Sequence, residues 1–269
     1  MQEYTKILDT KDTTPEINCE RYSSGVWNNT AVQVPTEAEF TLKVNGQELV
    51  SILCTPAKLD CLAVGFLYAQ GIITGLEDIS VMKIDEENSI GDIVLRNKDY
   101  SFPTKRTLTS GCGGGISFKT GASKVHSNLA IDTEIIFRLM NKMLSQMEIY
   151  HKSGGVHGSA LADKEKIYIL AEDIGRHNTI DKVQGEYLLS KLKLKDGILL
   201  STGRVTTEML IKAAMMNIPI IISRTSPTNR AITMAKELGI ALVGYVRDDR
   251  FFVYSHRERI IHNQVSQTV

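Results

Sequence analysis

Residues 198–204 read Ile-Leu-Leu-Ser-Thr-Gly-Arg, and residues 218–226 read Ile-Pro-Ile-Ile-Ile-Ser-Arg-Thr-Ser. Each stretch is a short apolar run that passes directly into small hydroxyl side chains and an arginine. The pattern between them, over residues 206–217, is that of a helix. Apolar strands that alternate with helices predict an α/β layered sheet, largely parallel and covered by helices.

The same alternation continues on both sides of this stretch. Apolar strands are predicted over residues 167–171 and 241–246, and helices over residues 177–191 and 228–238. A last strand over residues 251–254 follows a tight turn, so we expect it to pair with the strand before it.

The first hundred residues have a different pattern. Residues 39–44 and 48–54 alternate between apolar and polar side chains and are separated by Asn45-Gly46, which predicts a β-hairpin. Further elements expected in this part are a helix over residues 58–70 and strands over residues 79–84 and 92–96.

This change of pattern predicts two domains. Residues 1–125 form a smaller, β-rich mixed α+β region that ends in a glycine loop. Residues 126–269 form the α/β domain, with a layered α/β/α core. It opens with a long amphipathic helix over residues 132–150, for which Asp132 is the expected N-cap.

A compact polar cluster follows each predicted strand of the second domain. Ligands of open α/β sheets bind beyond the carboxyl ends of the strands, and helix N-termini and arginine side chains both suit phosphate oxygens. Taken singly, such residues are often helix caps or solvated surface residues, but three neighbouring clusters favour a site for an anionic, phosphate-bearing molecule. The residues predicted to form it are Thr202, Gly203, Arg204, Ser223, Arg224 and Thr225.

Two histidines lie among these clusters. His157 is flanked by glycines, and His177 has Asp173 four residues before it and Asp181 four residues after it, so one helix face could bring these three together. Such a histidine either acts as a general acid and base or binds phosphate, and a purely structural role is an equal alternative. The zinc-deaminase pattern of His-x-Glu and Pro-Cys-x-x-Cys is absent, so no intrinsic metal is expected.

Residues 110–115 read Ser-Gly-Cys-Gly-Gly-Gly, so no neighbouring side chain shields the sulfur of Cys112. Glycines let the backbone amides turn toward a charge, and a thiolate close to N–H groups or cations is a better nucleophile at neutral pH. The alternative is an inert cysteine in a flexible loop. Buried cysteines normally lie in apolar runs, as Cys54 and Cys61 do, and we expect those two in the core.

Composition excludes several classes of protein. The chain has 31 Lys and Arg against 31 Asp and Glu, so it lacks the global basic charge typical of nucleic-acid binding. No apolar stretch is long enough to cross a bilayer, and the polar N-terminus has no signal-peptide pattern. We therefore expect a cytoplasmic protein without membrane or nucleic-acid partners.

Taken together, the motifs closely resemble those of the formate dehydrogenase accessory sulfurtransferases, the FdhD family. The resemblance covers nearly the whole chain and is strongest over residues 110–250. The residues that carry it are Gly154-Gly155-Val156-His157-Gly158-Ser159-Ala160, Glu172-Asp173-Ile174-Gly175-Arg176-His177-Asn178 with Asp181-Lys182, Ser201-Thr202-Gly203-Arg204, and Ser223-Arg224-Thr225-Ser226-Pro227-Thr228.

The resemblance implies a fold similar to that of cytidine deaminases, without their zinc ligands. It implies that Cys112 takes sulfur as a persulfide from a cysteine desulfurase and passes it to the molybdenum cofactor, bis(molybdopterin guanine dinucleotide), for formate dehydrogenase. It also aligns one segment with the part expected to contact this cofactor, namely Tyr245, Val246, Arg247, Asp248, Asp249 and Arg250. A homodimer is compatible with the resemblance, and the sequence does not decide it.

The chain departs from the family pattern at one position. Many members have Cys-x-x-Cys in the loop, whereas Gly115 stands at the second position here. The persulfide needs one thiolate only, but its release must then use an external thiol or direct transfer to the metal. Two other functions remain open: a cofactor-binding chaperone without sulfur chemistry, and a zinc-independent nucleotide-processing enzyme that uses His157 or His177.

Overall fold

The computed structural model describes Met1, residues 3–7, 12–97 and 123–262, and the backbone alone of residues 107–108 and 116–117. Its helices are α1 (Leu59–Ala69), α2 (Thr133–Ser145), α3 (Glu148–Ser153), α4 (Arg176–Leu189), α5 (Thr207–Met215) and α6 (Asn229–Leu238). None of the helices in these ranges is both long and apolar enough to cross a membrane.

The strands belong to several sheets. In chain order they are β1 (Glu3–Ile7), β2 (Glu16–Ser23), β3 (Val26–Gln33), β4 (Ala38–Val44), β5 (Gln47–Cys54), β6 (Ile79–Asp85), β7 (Ile90–Leu95), β8 (Thr107–Leu108), β9 (Ile116–Ser117), β10 (Ile131–Asp132), β11 (His157–Ala162), β12 (Ile167–Asp173), β13 (Ile198–Ser201), β14 (Ile220–Ser223), β15 (Ala241–Gly244), β16 (Phe252–Ser255) and β17 (Ile260–Ile261). The predicted α/β class is thereby confirmed.

The larger sheet has six strands in the order β12-β11-β13-β14-β15-β16. The four strands predicted from apolar runs, β12 to β15, all point the same way, because β11 is antiparallel to both β12 and β13. The expectation of a largely parallel sheet is therefore wrong in one respect: only two of the five pairings are parallel. Strand β11 was not predicted from the sequence, because glycines precede and interrupt it.

Both faces of this sheet are buried. Leu199, Ile221 and Leu242 pack with residues of α4, α5 and α6 on one face. Their neighbours along the same strands, such as Leu200 and Ile222, pack with residues of α2 on the other. All five side chains are inaccessible to solvent, which is why these strands read as continuous apolar runs rather than alternating ones.

The long helix predicted over residues 132–150 is interrupted. Asp132 does cap α2, since its carboxylate accepts from the backbone N–H of Glu134 at 3.0 Å, which confirms the predicted N-cap. The helix stops at Ser145, and α3 begins after the buried Met147. Glu172 accepts from the N–H groups of Ile149 and Tyr150 at 3.0 and 2.8 Å, which supplies partners to the first turn of α3 and stabilises the break.

The second sheet lies in the N-terminal part and has the order β1-β6-β7-β4-β5. The predicted hairpin is present in β4 and β5, with Asn45 and Gly46 both at positive φ (51° and 79°) as its two-residue turn requires. Apolar residues of this sheet and of α1, including Phe40, Leu62 and Leu67, form its core. Cys54 and Cys61 lie in or beside that core and are 0% and 6% exposed, as predicted.

The two sheets are joined through α1 and α4, which pack backbone against backbone. A β-carbon placed on Gly65 would lie 1.8 Å from the carbonyl oxygen of Asp181, and one on Gly185 would lie 1.9 Å from that of Cys61. No residue other than glycine fits at either position without separating the helices. The predicted domain boundary near residue 125 stays a prediction.

One element packs on neither core. Strands β2 and β3 form an isolated antiparallel hairpin in which nearly every residue is exposed. Its turn, Ser24-Gly25, has positive φ at both positions (52° and 84°), the geometry of a tight two-residue turn. The sequence analysis did not predict this hairpin.

Candidate functional site

The predicted site residues converge on one edge of the six-stranded sheet. Strand pairing places His157 opposite Asp173, Ser159 opposite Ser201, and Ser201 beside Ser223. The carboxyl ends of β12, β13 and β14 and the start of β11 therefore meet at this edge. It is called the strand-end site below, and the loops 202–206 and 224–228 leave from it.

Buried hydroxyl groups hold the strand-end site together from beneath. Ser201, Ser223 and Ser159 are fully buried. The Ser201 hydroxyl accepts from the backbone N–H of Gly203 at 3.0 Å, and that of Ser223 donates to the Gly203 carbonyl at 2.8 Å. Ser223 also accepts from the N–H of Thr225 at 3.0 Å. These hydroxyl groups hold the loops 202–206 and 224–228 in place. The predicted site residues on these loops that are at least partly exposed are Thr202, Arg204, Arg224 and Thr225.

The first of these loops packs tightly on α4. A β-carbon on Gly203 would lie 2.9 Å from the β-carbon of Arg176, the first residue of α4. The Thr202 hydroxyl accepts from the N–H of Gly158 at 3.0 Å and lies 3.5 Å from Nδ1 of His157. Glycine at position 203 thus allows the loop to approach the arginine, and Thr202 ties the loop to β11.

Three arginine side chains surround the outer side of this edge. Arg204 and Arg247 are exposed and Arg224 is half-buried. Arg247 donates through Nη1 to the carbonyl oxygens of Arg224 and Val246, at 2.6 and 2.8 Å, so it also braces the segment after β14. Such an arrangement suits a ligand that carries several negative oxygens.

The segment 245–250 connects β15 to β16 at the same edge. Tyr245 has a positive φ of 53°, is 42% exposed, and meets Phe252 edge to face with ring centroids 5.8 Å apart. Val246 is buried and contributes through its N–H, which donates to the carbonyl of Ser223 at 3.2 Å. Asp248, Asp249 and Arg250 are exposed. The backbone N–H of Arg247 donates to the carbonyl of Arg250 at 2.9 Å, which closes the turn.

His157 is the first residue of β11 and lies at the strand-end site. Burial lowers the pKa of its imidazole, and the positive charge of Arg176 lowers it further, against a smaller opposing effect of Asp173. The ring is therefore neutral at pH 7.

His177 is at the strand-end site, but the predicted cluster with Asp173 and Asp181 is wrong. Helix α4 starts at Arg176, so Asp173 belongs to β12 and pairs with Lys182 at 2.6 Å. Asp181 does not contact the ring directly but pairs with Lys212 at 2.8 Å, and Lys212 in turn lies 3.2 Å from Glu208. The Nε2 atom of His177 instead lies 3.3 Å from the Thr206 hydroxyl and 3.8 Å from a carboxylate oxygen of Glu208.

Burial lowers the pKa of His177 to about 4. Glu208 raises it, whereas Lys212, Arg176 and Arg204 lower it further. Glu208 and Lys212 were not identified from the sequence. The only local signal was their i,i+4 spacing on α5, which is typical of an ordinary helix-surface ion pair. What makes them part of the site is their burial beside His177, and that follows from the packing of α5 on α4.

Two of the described cysteines do not share the chemistry expected of Cys112. Burial raises the pKa of the Cys54 and Cys61 thiols to about 12, so both stay protonated and unreactive at neutral pH. Cys19 is exposed on the β2–β3 hairpin. Cys112 and its glycine loop lie outside the described residues. Among the residues that are described, no group of three or more His, Cys, Asp or Glu side chains is arranged to hold a metal ion.

The fold and the geometry together define a mixed α/β protein with a candidate anion site at the carboxyl ends of its co-directional strands. Comparison with known proteins identifies the family of the chain. The FdhD/NarQ family model matches residues 35–261. The sulfur carrier protein FdhD of Listeria monocytogenes is 40% identical over 250 residues, covering 89% of this chain and 96% of that protein. That of Staphylococcus aureus strain MRSA252 is 35% identical over 257 residues, covering 91% and 95%.

The chain therefore belongs to the FdhD/NarQ family, and the resemblance seen in its motifs is confirmed. The fold is also similar to a crystal structure of a candidate formate dehydrogenase accessory protein from Desulfotalea psychrophila. The TM-score is 0.79 at 24% identity, with 93% of this chain and 100% of that one covered. At this level of identity the similarity supports the fold.

Proposed function

We propose that this protein is a sulfur carrier that delivers sulfur, held as a persulfide on Cys112, to the molybdenum cofactor of formate dehydrogenase. The observation that carries the proposal is the strand-end site, where Arg204, Arg224 and Arg247 gather around loops held by Ser201 and Ser223. A sulfur carrier for a guanine dinucleotide cofactor needs such a site, because the cofactor's phosphates must be held while its metal is modified.

The uptake of sulfur is a thiol exchange. The Cys112 thiolate attacks the terminal sulfur of a persulfide on a cysteine desulfurase, the S–S bond of the donor breaks, and the donor cysteine leaves as a thiolate. One S–S bond forms for the one that breaks, so no external oxidant or reductant is required. The terminal sulfur now belongs to Cys112.

Delivery needs two electrons, because the terminal sulfur of a persulfide becomes sulfide when it binds a metal. With Gly115 in place of a second loop cysteine, an internal disulfide with that position cannot form. An external thiol supplies the electrons by attacking the Cys112 sulfur, releasing sulfide, and forming a mixed disulfide that a second thiol resolves. In direct transfer, the metal itself supplies both electrons.

The strand-end site is proposed to hold the phosphates of the guanine dinucleotide. Arg204 and Arg224 supply charge-assisted donors, and α5 and α6 begin within a few residues of them, so their N-termini add to the positive potential. Segment 245–250 lies beside them and exposes the ring of Tyr245, in agreement with its proposed contact with the cofactor.

A fold similar to that of cytidine deaminases and a cytoplasmic location complete this proposal. Helices on both faces of a sheet with four co-directional strands support the former. Free thiols and persulfides persist in a reducing compartment, which supports the latter.

The same proposal includes a homodimer through the β2–β3 hairpin. Five large apolar side chains of the hairpin are exposed, among them Trp27 at 66% and Tyr22 at 60%. An isolated two-stranded hairpin is at best marginally stable in water. Sheet edges that stay free are usually guarded by charged side chains, proline or a bulge, and β3 contains none of these.

A second copy of the chain is the proposed occupant of this hairpin. An unguarded edge is presented to every other copy of the same protein, and a strand that pairs with itself about a twofold axis is antiparallel, as β2 and β3 already are. Residues 16–33 are also close in number to the roughly 20–30 residues that each partner contributes to a standard interface.

The sulfur-carrier proposal is tested by intact-mass measurement after incubation with a cysteine desulfurase and cysteine. We expect the wild type to gain sulfur that a reductant removes, Cys112→Ser to gain none, and a variant with Cys19, Cys54 and Cys61 changed to alanine to behave as the wild type. An unchanged adduct on Cys112→Ser would contradict the proposal.

A further inference from the structure

A buried carboxylate beside the strand-end site has one oxygen without a hydrogen-bond donor among the residues that the structure describes. This is Oε2 of Glu208. The other oxygen, Oε1, lies 3.2 Å from Nζ of Lys212. Oε2 points instead to His177, whose Nε2 is 3.8 Å away. Since a buried acceptor normally has a donor, this geometry leaves a place for one more N–H, which the imidazole at 3.8 Å can supply.

The charges around His177 explain why this pair is incomplete. The charged groups that face the ring are Glu208 and Lys212 from α5, Arg176 on its own helix and Arg204 from the loop after β13. Asp181, whose pKa burial raises to about 6, lies behind them and pairs with Lys212 at 2.8 Å. Burial and the three cations outweigh Glu208 and hold the pKa of His177 at about 4. Burial raises the pKa of Glu208, but Lys212, His177 and Arg176 lower it more, so the carboxylate stays ionised.

We propose that His177 is a proton-linked part of the anion site: it takes up a proton from solvent when an anionic ligand binds beside Arg204, and the imidazolium formed pairs with the free oxygen of Glu208. The step makes and breaks no bond other than that to the proton. It rests on the proposed function only in placing a phosphate-bearing ligand at the strand ends. His177 acts here through its charge, as a positioning residue.

The physical reason is charge compensation. A bound phosphate cancels the field of Arg204 and Arg176, which is part of what keeps His177 neutral. A nearby opposite charge typically raises such a pKa by about 1–3 units. Two consequences follow by linkage: the complex takes up a proton over the pH range between the free and the bound pKa, and the ligand binds more tightly as pH falls through that range.

The pH dependence of ligand affinity follows from the pKa of His177 in the free and the bound protein. With a free pKa of about 4, both the free and the bound form are neutral well above pH 7, so affinity does not depend on pH there. As pH falls from 7.5 to 5, only the bound form becomes protonated, and affinity rises by at most about tenfold for each unit of pKa shift. Below pH 4 both forms are protonated and the dependence ends.

GDP-mannose is the appropriate probe because both of its phosphates are esterified, so its own charge does not change between pH 5 and 8. Calorimetry at pH 5.5 in two buffers with different ionisation enthalpies gives the number of protons taken up. We expect uptake by the wild type and tighter binding at pH 5.5 than at pH 7.5. In His177→Gln, which keeps a polar side chain near Thr206, binding should persist without uptake.

The matched variants separate this effect from a general one. Glu208→Gln should reduce the uptake, because the imidazolium then lacks its anion. His256→Gln should keep it, because His256 follows β16 at the opposite end of the sheet, where its ring contacts Glu258 and the carbonyl of Lys236. Should a variant fail to fold, titration of the His177 ring in the wild type by NMR decides the point, with an expected midpoint near 4 that rises by about one unit or more on binding.

Three results would overturn the inference. Binding of GDP-mannose without proton uptake by the wild type would remove the proton link and leave the proposed function standing. Unchanged uptake in His177→Gln would assign the proton to another group. Absence of binding at both pH values would remove the anion site itself, and with it both proposals.

Discussion

Lys182 and Asp173 form an ion pair that is closed off from solvent. Nζ of Lys182 lies 2.6 Å from Oδ2 of Asp173, and the side chains are 1% and 0% exposed. The same carboxylate oxygen accepts from the N–H of Thr55 at 3.1 Å, and Lys182 donates to the Thr55 carbonyl at 2.9 Å. Thr55 stands between β5 and α1, so this pair joins the N-terminal part to the strand that ends at the candidate site.

We expect Lys182→Met to destabilise the protein strongly. Removing one partner of a buried pair leaves the other charge without compensation, which costs roughly 3–5 kcal/mol. Lys58→Met is the matched control: Lys58 also reaches α4, where it lies 2.6 Å from Glu186, but its side chain is 40% exposed. An exposed pair contributes about 0–1 kcal/mol. Urea unfolding followed by circular dichroism measures the free energy of unfolding of both variants. Equal losses of stability would show that the buried pair contributes no more than the exposed one.

Much of the α/β part could be predicted because its strands are buried on both faces. Continuously apolar runs such as Ile198–Ser201 indicate strands covered on both faces, and therefore the α/β class. When such strands run in the same direction, the polar residues that follow them lie at the same edge of the sheet. Strand β11 was missed because Gly154, Gly155 and Gly158 mask its apolar character. The β2–β3 hairpin was missed because nearly all of its residues are exposed, so its strands have no alternation of buried and exposed positions to detect.

The partners of His177 could not be read from its neighbourhood in the sequence. Spacing suggested Asp173 and Asp181, which lie four residues away on either side. The true neighbours, Thr206 and Glu208, come from the next strand–helix unit, and only the packing of α5 against α4 brings them close. Local spacing predicts contacts within one helix, whereas a buried electrostatic site depends on contacts between helices.

Loss of Arg204 and Arg224 should weaken binding of GDP, a fragment of the proposed cofactor. Each charge-assisted contact contributes on the order of 1.5–3 kcal/mol, which is about tenfold or more in affinity. The double variant Arg204→Ala, Arg224→Ala is compared by calorimetry with Arg96→Ala, Arg138→Ala. The control removes the same net charge from exposed arginines on β7's end and on α2, away from the strand-end site. Equal affinities in the two double variants would place the phosphate site elsewhere.

The hairpin should determine the oligomeric state. Trp27→Arg combined with Val26→Lys places two like charges on the tip of β3, where both wild-type side chains are more than half exposed, so folding of a single chain should be unaffected. We expect the wild type to be a dimer by light scattering and this variant a monomer. The control variant is Ile261→Lys, which changes an apolar residue outside the hairpin that is 41% exposed; it should remain dimeric. A monomeric wild type would contradict the second-copy proposal and leave a different protein as the partner of the hairpin.

The last prediction separates sulfur transfer from simple delivery of the cofactor. The proposed phosphate contacts lie on the strand-end loops, whereas Cys112 lies on a glycine-rich segment of its own, so Cys112→Ala should still bind the cofactor. In a cell that lacks its own copy of this protein, the variant should nevertheless fail to activate formate dehydrogenase. The enzyme should then accumulate with cofactor bound and with the sulfur ligand of the metal missing, which elemental and spectroscopic analysis of the purified enzyme can detect. Cys19→Ala is the control, since Cys19 is also an exposed cysteine but lies on the hairpin, and it should restore full activity. If Cys112→Ala restored the same activity, the protein would be a chaperone that carries the cofactor without donating sulfur.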